Sequence, residues 1–267
     1  MCCLFSCITT ERYIYSASPP NSPFFNEKGQ SELAGYYSAI PKITDPTEVY
    51  SDGFDIHGAY AIGNHWALTA GFLNRQEEDL NIYNNEIPFD SSVIRYNRNL
   101  FSVGAGVFIP LNPAKTITLN MYGGVDIGKF SFNENGSANG IPGERFYNNN
   151  ITKEFFQPSV NFMPNKYFHA SVIFKNSYVH YRHINTNYTG DELAFYSLDT
   201  ICGQAIHFSE PALDFQCGIP PIPWLKVDFI MSNASNPFPN TLLDVRDPNF
   251  SIGLSVDFSK IGKKNSE

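Results

Sequence analysis

The sequence predicts an all-β protein, an up-and-down antiparallel transmembrane β-barrel of about ten strands. Three observations predict it. Large apolar side chains alternate with small or polar ones, with period two, along most of the 267 residues. The connections between these segments alternate short and long, which gathers the tight turns at one end and the long loops at the other. Charged residues make up only 16 % of the chain and aromatic residues 15 %, whereas a soluble domain carries about a quarter charged residues.

In chain order the expected strands lie near 30–38, 54–61, 66–73, 93–109, 116–132, 151–162, 167–182, 205–218, 224–233 and 248–258. The first hairpin, "GFDIHGAYAIGNHWALTAGFL", shows the pattern best, turning at Ile62–His65. Further short turns are expected at 110–115, 164–166 and 219–223, and long loops rich in Asn, Asp and Pro near 39–53, 74–92, 133–150, 183–204 and 234–247. An even strand number suits closure in this topology and puts both chain ends on the short-turn side, the periplasmic side of an outer-membrane barrel. No helix is suggested. Pro158 and Pro211 fall inside expected strands, where a closed barrel has no free edge, so each calls for a bulge or a strand limit moved. Alternation also slips in "KNSYVHY", for which a bulge near Asn176 is the simplest account.

The oily face should point outward. In "FSIGLSVDF" one face carries Phe250, Ile252, Leu254, Val256 and Phe258, and the other Ser251, Gly253, Ser255 and Asp257. The polar face is mostly Ser, Thr, Gly, Asn and isolated acids, the short groups that fit a narrow lumen, rather than the long Lys and Glu of a wetted surface. Glycines such as Gly104, Gly106, Gly123, Gly124 and Gly128 let a tight barrel curve and leave room for its few large side chains. Aromatic residues gather at two heights: Tyr60, Trp66, Phe162, Phe168, Trp224 and Phe258 beside the short turns, and Phe54, Phe72, Tyr96, Phe130, Phe156 and Phe250 toward the other ends. Two such belts are expected where rings settle at both lipid–water interfaces. The alternative is a soluble β-barrel or sandwich lipoprotein that binds a ligand in an oily interior.

The net charge of −8, without clustered Lys and Arg, argues against a nucleic-acid partner. No apolar run reaches the roughly 18 residues of a membrane helix, which excludes helical spans only. Of five cysteines, Cys2, Cys3 and Cys7 crowd the N-terminus. Cys202 and Cys217 are expected as free thiols, because an extended segment joining them spans about 50 Å against the roughly 6 Å of a bridge. "LFSC" resembles a lipobox ending at Cys7, the expected lipid anchor, although a lipoprotein signal has a basic region and a longer apolar run before it. A true start upstream of Met1 would supply them; a chance Ser-Cys pair is the other reading. Residues 1–29 are thus taken as a lipobox-like N-terminus and an extended tether rich in Pro, Ser and Asn, 30–258 as the barrel, and 259–267 as a tail.

With "SPPNSPFFNEKGQSELAGYY", the first hairpin and "SIGLSVDF", the chain resembles a family of small Gram-negative outer-membrane β-barrel lipoproteins. The matching residues are Pro23, Phe24, Phe25, Glu27, Lys28 and Gly29, then Gly58, Ala59, Tyr60, Ala61, His65 and Ala70; His57 and Trp66 depart from the family pattern. The resemblance implies an outer-membrane location and this fold, and no activity.

The ionisable residues expected to face the lumen are Asp55, His57, Asp126, His169, Lys175, Glu210, Asp214, Lys226, Asp228 and Asp257. Buried charges must pair or neutralise, so the simplest reading is a polar plug in which Lys175 and Lys226 offset some of the acids. Acids outnumber bases in this set, so a narrow cation-preferring pore or ligand pocket is the sharper one. A barrel-embedded hydrolase would need a His–carboxylate pair, and only His183 with Asp191, Glu192 and Asp199 crowds in that way. No metal-ligand spacing and no cofactor motif is present in the sequence. The long loops "NIYNNEIPF" and "NENGSANGIPGERFYNNN" offer adaptable Asn, Gly and Tyr to a surface polysaccharide or partner protein, with membrane lipid around the wall. The expectation is therefore a structural, surface-binding or minor pore component of the outer membrane.

Overall fold

The structure is a computed structural model, and it describes residues 11–39, 49–82, 91–138, 141–239 and 241–261. Cys7 and the lipobox-like residues lie outside that range. Twelve strands follow in chain order: β1 (Arg12–Ser16), β2 (Ser31–Ala39), β3 (Val49–Ala61), β4 (Trp66–Ile82), β5 (Ser91–Pro110), β6 (Ile117–Ala138), β7 (Ile141–Phe162), β8 (Phe168–Thr186), β9 (Ala205–Ile219), β10 (Ile222–Ser232), β11 (Leu243–Arg246) and β12 (Asn249–Asp257). Ten of them, all except β1 and β11, close into an antiparallel barrel. Chain neighbours pair throughout, and β12 closes the ring on β2, with Val256 opposite Leu33 and Ile252 opposite Tyr37. The barrel strands coincide with the ten expected from alternation.

The alternation sets which face is wet. Large outward side chains are exposed in the isolated chain, Leu254 at 53 % and Trp66 at 59 %, while the serines and acids opposite them are buried. The outward apolar run covers Ile117 to Ile127 in β6, and Phe250 to Val256 in β12 with Phe258 just after it, matching the roughly 9–11 residues a tilted strand needs to cross a bilayer. Glu154 is an outward acid within this belt, in register with Val125 and Tyr178, and Asn176 and Ser209 are outward polar residues one step lower. Glu154 stands in the upper belt, where a long side chain can reach up to the interface.

β6 and β7 are 22 residues long, about twice the length a bilayer requires, and in the upper half the outward face turns polar while the inner face carries an aromatic core beside buried charged groups. Inside it, Ile94, Tyr96, Phe130, Phe132, Tyr147, Val179 and Tyr181 form an aromatic core; outside it stand Asn97, Asn99, Lys129, Asn148 and Asn150. This corrects two expectations. Tyr96 and Phe130 are not belt residues but are buried in the upper core, at 2 % and 0 % exposure. Most of 74–92 and 133–150 is also extended hairpin rather than loop.

In β8 the alternation of faces continues unbroken from Phe168 to Tyr181, so no bulge sits at Asn176. The sequence misleads there because the inward residues turn from polar to apolar after Ser177, where the outward apolar run has ended. The register shift lies between Asn148 and Asn150 of β7, facing His183, whose φ is 55°. Neither proline needs a bulge. Pro158 keeps register with Met121, and Pro211 keeps register with Phe174.

The long connection after β8 folds into a lid. It carries a short helix, α1 (Gly190–Phe195), started by a capping box between Thr189 and Glu192. Behind it Tyr188, Leu198 and Ile201 close the upper core.

Candidate functional site

Residues 11–26 run down the lumen, and a turn at 27–29 with Gly29 at φ 84° leads the chain into β2. β1 pairs in parallel with β11, which dips in from the connection between β10 and β12. The chain then descends past the inward residues of β7 in turn. Lys153 donates to the Tyr15 hydroxyl at 3.0 Å, Gln157 to the Asn21 carbonyl at 3.0 Å, and Asn161 to the Pro23 carbonyl at 3.1 Å; Ser159 meets Ser22 at 2.9 Å. It leaves at the short-turn end, where Gly29 N–H donates to the Ala61 carbonyl at 2.9 Å. The N-terminal end of the described chain therefore lies at the hairpin end and the C-terminal end at the short-turn end, not both on one side. The physical reason is satisfaction: a polar lumen wall must find partners, and an extended Ser/Asn-rich segment offers its backbone and short side chains along its whole length.

The lumen has three layers. At the top, Arg12 bridges both Glu134 oxygens, Arg98 and Arg246 approach Glu77 at 3.3 and 3.4 Å, and Arg246 also holds Asp79 at 2.5 Å. Arg75 donates to Ser16 Oγ and the Ala17 carbonyl, and approaches Asp55 at 3.7 Å. In the middle, Lys153 pairs with Asp126 at 3.2 Å and with Glu210 at 3.8 Å, and Glu210 accepts from Tyr15 and Ser177. Beside this stands a water-sized cavity of about 40 Å³ bordered by Ser18, Asn21, Asp55, His57, Asp126 and Lys175. That is room for two or three waters, and Asp55 Oδ1, His57 Nδ1 and Asp126 Oδ1 find no protein hydrogen-bond partner there.

Lower down, Asp228 accepts from Tyr36, Gln216 and Ser255, and Lys226 Nζ lies 3.0 Å from both Gln216 Oε1 and His169 Nδ1. Asp214, paired in register with Ser171, is buried in this layer. At the short-turn rim Asp257 caps the following turn and pairs with Lys260 at 2.9 Å.

The ten sequence-selected ionisable residues all face inward, but they form a middle group, a lower group and a rim residue rather than one cluster. The pairing differs from expectation. Lys175 reaches Ser18 at 3.5 Å and lies over the Phe155 ring, and Lys226 Nζ lies against His169 and Gln216; Lys153 pairs with Asp126 and Glu210, Arg75 approaches Asp55, and Asp228 is held by hydroxyl and amide donors instead. The sequence reading missed Arg12, Arg75, Glu77, Asp79, Arg98, Glu134, Lys153 and Arg246. Carrying the parity of Leu73 up β4 finds Arg75, Glu77 and Asp79, and the same step in β5 finds Arg98. With these included the lumen set holds nine carboxylates against seven Lys and Arg, so the excess of acids is halved.

The loop groups considered for hydrolysis are not brought together. His183 meets Asn150 at 3.5 Å on the outer wall, while Glu192 is held by Arg145 at 2.5 Å and by its capping box. For Glu192 burial acts to raise the carboxyl pKa, but hydrogen bonds from Arg145 and Thr189 outweigh it and hold the group below its usual range.

No protein-family model matches the chain, and no curated protein matches it. Among solved structures it is similar to the outer membrane protease OmpT from Escherichia coli, at 12 % identity and a TM-score of 0.45 over 86 % of this chain and 94 % of that one. It is also similar to an outer membrane channel from Pseudomonas putida F1, at 7 % identity and 0.38 over 89 % and 99 %. A third is Ail, the attachment invasion locus protein of Yersinia pestis, at 13 % identity and 0.31 over 86 % and 99 %.

Proposed function

We propose that this chain is a Gram-negative outer-membrane barrel that is closed by its own N-terminal segment and serves as a structural or surface-binding component of that membrane. The outward apolar belt supports the membrane location, and strand length supports the orientation, with short turns in the periplasm and long hairpins outside. The observation that carries the closed lumen is the descent of residues 11–26 through it, fastened by buried ion pairs and hydrogen bonds at each level. Acylation of Cys7 belongs to this proposal as a second anchor, and the mass of the mature chain tests it.

Planar-bilayer recording tests the closed lumen. The full chain is expected to give no unitary conductance, and a chain lacking residues 11–24 to give steps. Steps from the full chain, with residues 11–30 shown to be in place by protease resistance, would replace this reading with the pore.

A further inference from the structure

The outer wall changes chemistry within a single step of two residues. Phe72, Phe101 and Ile127 stand opposite one another across β4, β5 and β6, outward and exposed. Two residues higher, the directly paired outward residues are Asn74, Asn99, Lys129, Asn150 and Arg182, and two higher again Gln76, Asn97, Ser131, Asn148 and Asn185. None of these ten is acidic, in a chain of net charge −8. The outward acids of these strands lie elsewhere: Glu78, paired with Arg95 at 2.6 Å, and Glu144 above, and Glu154 below.

Folding does not call for this composition. Asparagine is disfavoured in strands, and a merely wetted strand face takes Lys, Glu and Thr. Local rules broken in this way mark functional surface. The amides are also organised: Asn74 donates to Asn99, and Asn99 donates to Asn97 Oδ1 at 2.9 Å. Between Asn97, Asn99, Lys129, Ser131, Asn148 and Asn150 lies a recess of about 340 Å³, backed by the rigid aromatic core.

We propose that this shelf binds the phosphorylated sugar headgroup of a membrane glycolipid, an inference that rests on the membrane reading above. Side-chain amides carry a donor and an acceptor each and so match sugar hydroxyls, which are both. Lys129 and Arg182 supply charge-assisted contacts to phosphate. The position fits the ligand, because acyl chains extending from a headgroup seated on the shelf would lie against Phe72, Phe101 and Ile127.

The test uses the full chain in detergent micelles, with a bisphosphorylated diglucosamine glycolipid titrated and bound lipid counted by native mass spectrometry. The wild-type protein is expected to bind this glycolipid at least tenfold more tightly than its dephosphorylated form. A Lys129→Ala/Arg182→Ala variant should lose that preference, and Asn99→Leu/Asn150→Leu should weaken both forms. The deacylated headgroup, added as competitor, separates the sources: displacement assigns the affinity to the headgroup alone, and none assigns it to the anchored lipid, the shelf being occupied in either case. Equal binding of the two glycolipids by the wild-type chain, a comparison that needs no variant, would overturn the proposal. Flotation with liposomes keeps the two readings apart. A chain that fails to float refutes the membrane reading, whereas one that floats without headgroup preference refutes only the shelf.

Discussion

One nitrogen of Arg12 bridges both carboxylate oxygens of Glu134, at 3.0 and 2.9 Å, although 122 residues separate them in the chain. Tyr188 donates to the same carboxylate at 2.6 Å, so plug, wall and lid meet at one buried charge. Removing one partner of such a pair leaves the other buried and uncompensated, at a cost of about 3–5 kcal/mol. Arg12→Ala should lower stability in urea unfolding by that order, and Arg12→Lys by less, since it keeps the charge. Equal stability of all three would show that the plug is not anchored here.

Ser22 and Ser159 place their hydroxyl oxygens 2.9 Å apart across the lumen. Cysteines at these two positions, in a chain with all five native cysteines replaced by Ser, should form a disulfide on mild oxidation. Mass mapping would detect the linked peptides. Free thiols at both sites in the folded barrel would place the N-terminal segment outside.

The parts of this fold that were legible in the sequence are those where one chemical rule holds along a strand. In "FSIGLSVDF" and the first hairpin every outward residue meets the same apolar surroundings, so period two assigns the faces directly. Above Phe72 and Phe101 the rule inverts, and Tyr96 and Phe130 look like belt aromatics although they face inward. Parity survives the inversion where polarity does not, which is why Arg75, Glu77 and Arg98 were recoverable and Arg12 was not. Arg12 lies in a segment with no periodicity, whose partners are set only by threading. The lid helix had a legible start in Thr189 and Glu192, hidden within a stretch otherwise reading as loop.

Gly124 pairs with Gly104 across β5 and β6, and the Phe155 ring covers the notch they leave. A Cβ at Gly124 would stand 2.8 Å from both Gly104 Cα and Phe155 Cζ. Gly124→Val should therefore destabilise the barrel by about 1–3 kcal/mol, the usual cost of overpacking. Gly143→Ala, where the nearest atom is Arg145 Nη1 at 3.8 Å, should be close to neutral. Similar unfolding midpoints for the two variants would argue against the close strand approach.

Glu192 gives the lid a pH dependence of defined sign. Its carboxyl pKa is depressed in the folded state, so the stabilisation is present above the unfolded value near 4.3 and is lost as pH falls through the lower folded value. A 13C titration of the Glu192 carboxyl should give a value below that of a free glutamate, and Arg145→Ala should move it upward. An unshifted titration in the intact chain would remove the Arg145 clamp from the account.

The central claim is that the large apolar side chains look outward into acyl chains, and the chain's two tryptophans make it measurable. With Trp224→Phe, Trp66 remains as the reporter, outward and 59 % exposed at the short-turn end of the belt. In liposomes its fluorescence should be quenched by lipids brominated along the acyl chain and little affected by aqueous iodide. Efficient iodide quenching with no effect of brominated lipid would place that face in water and contradict the account.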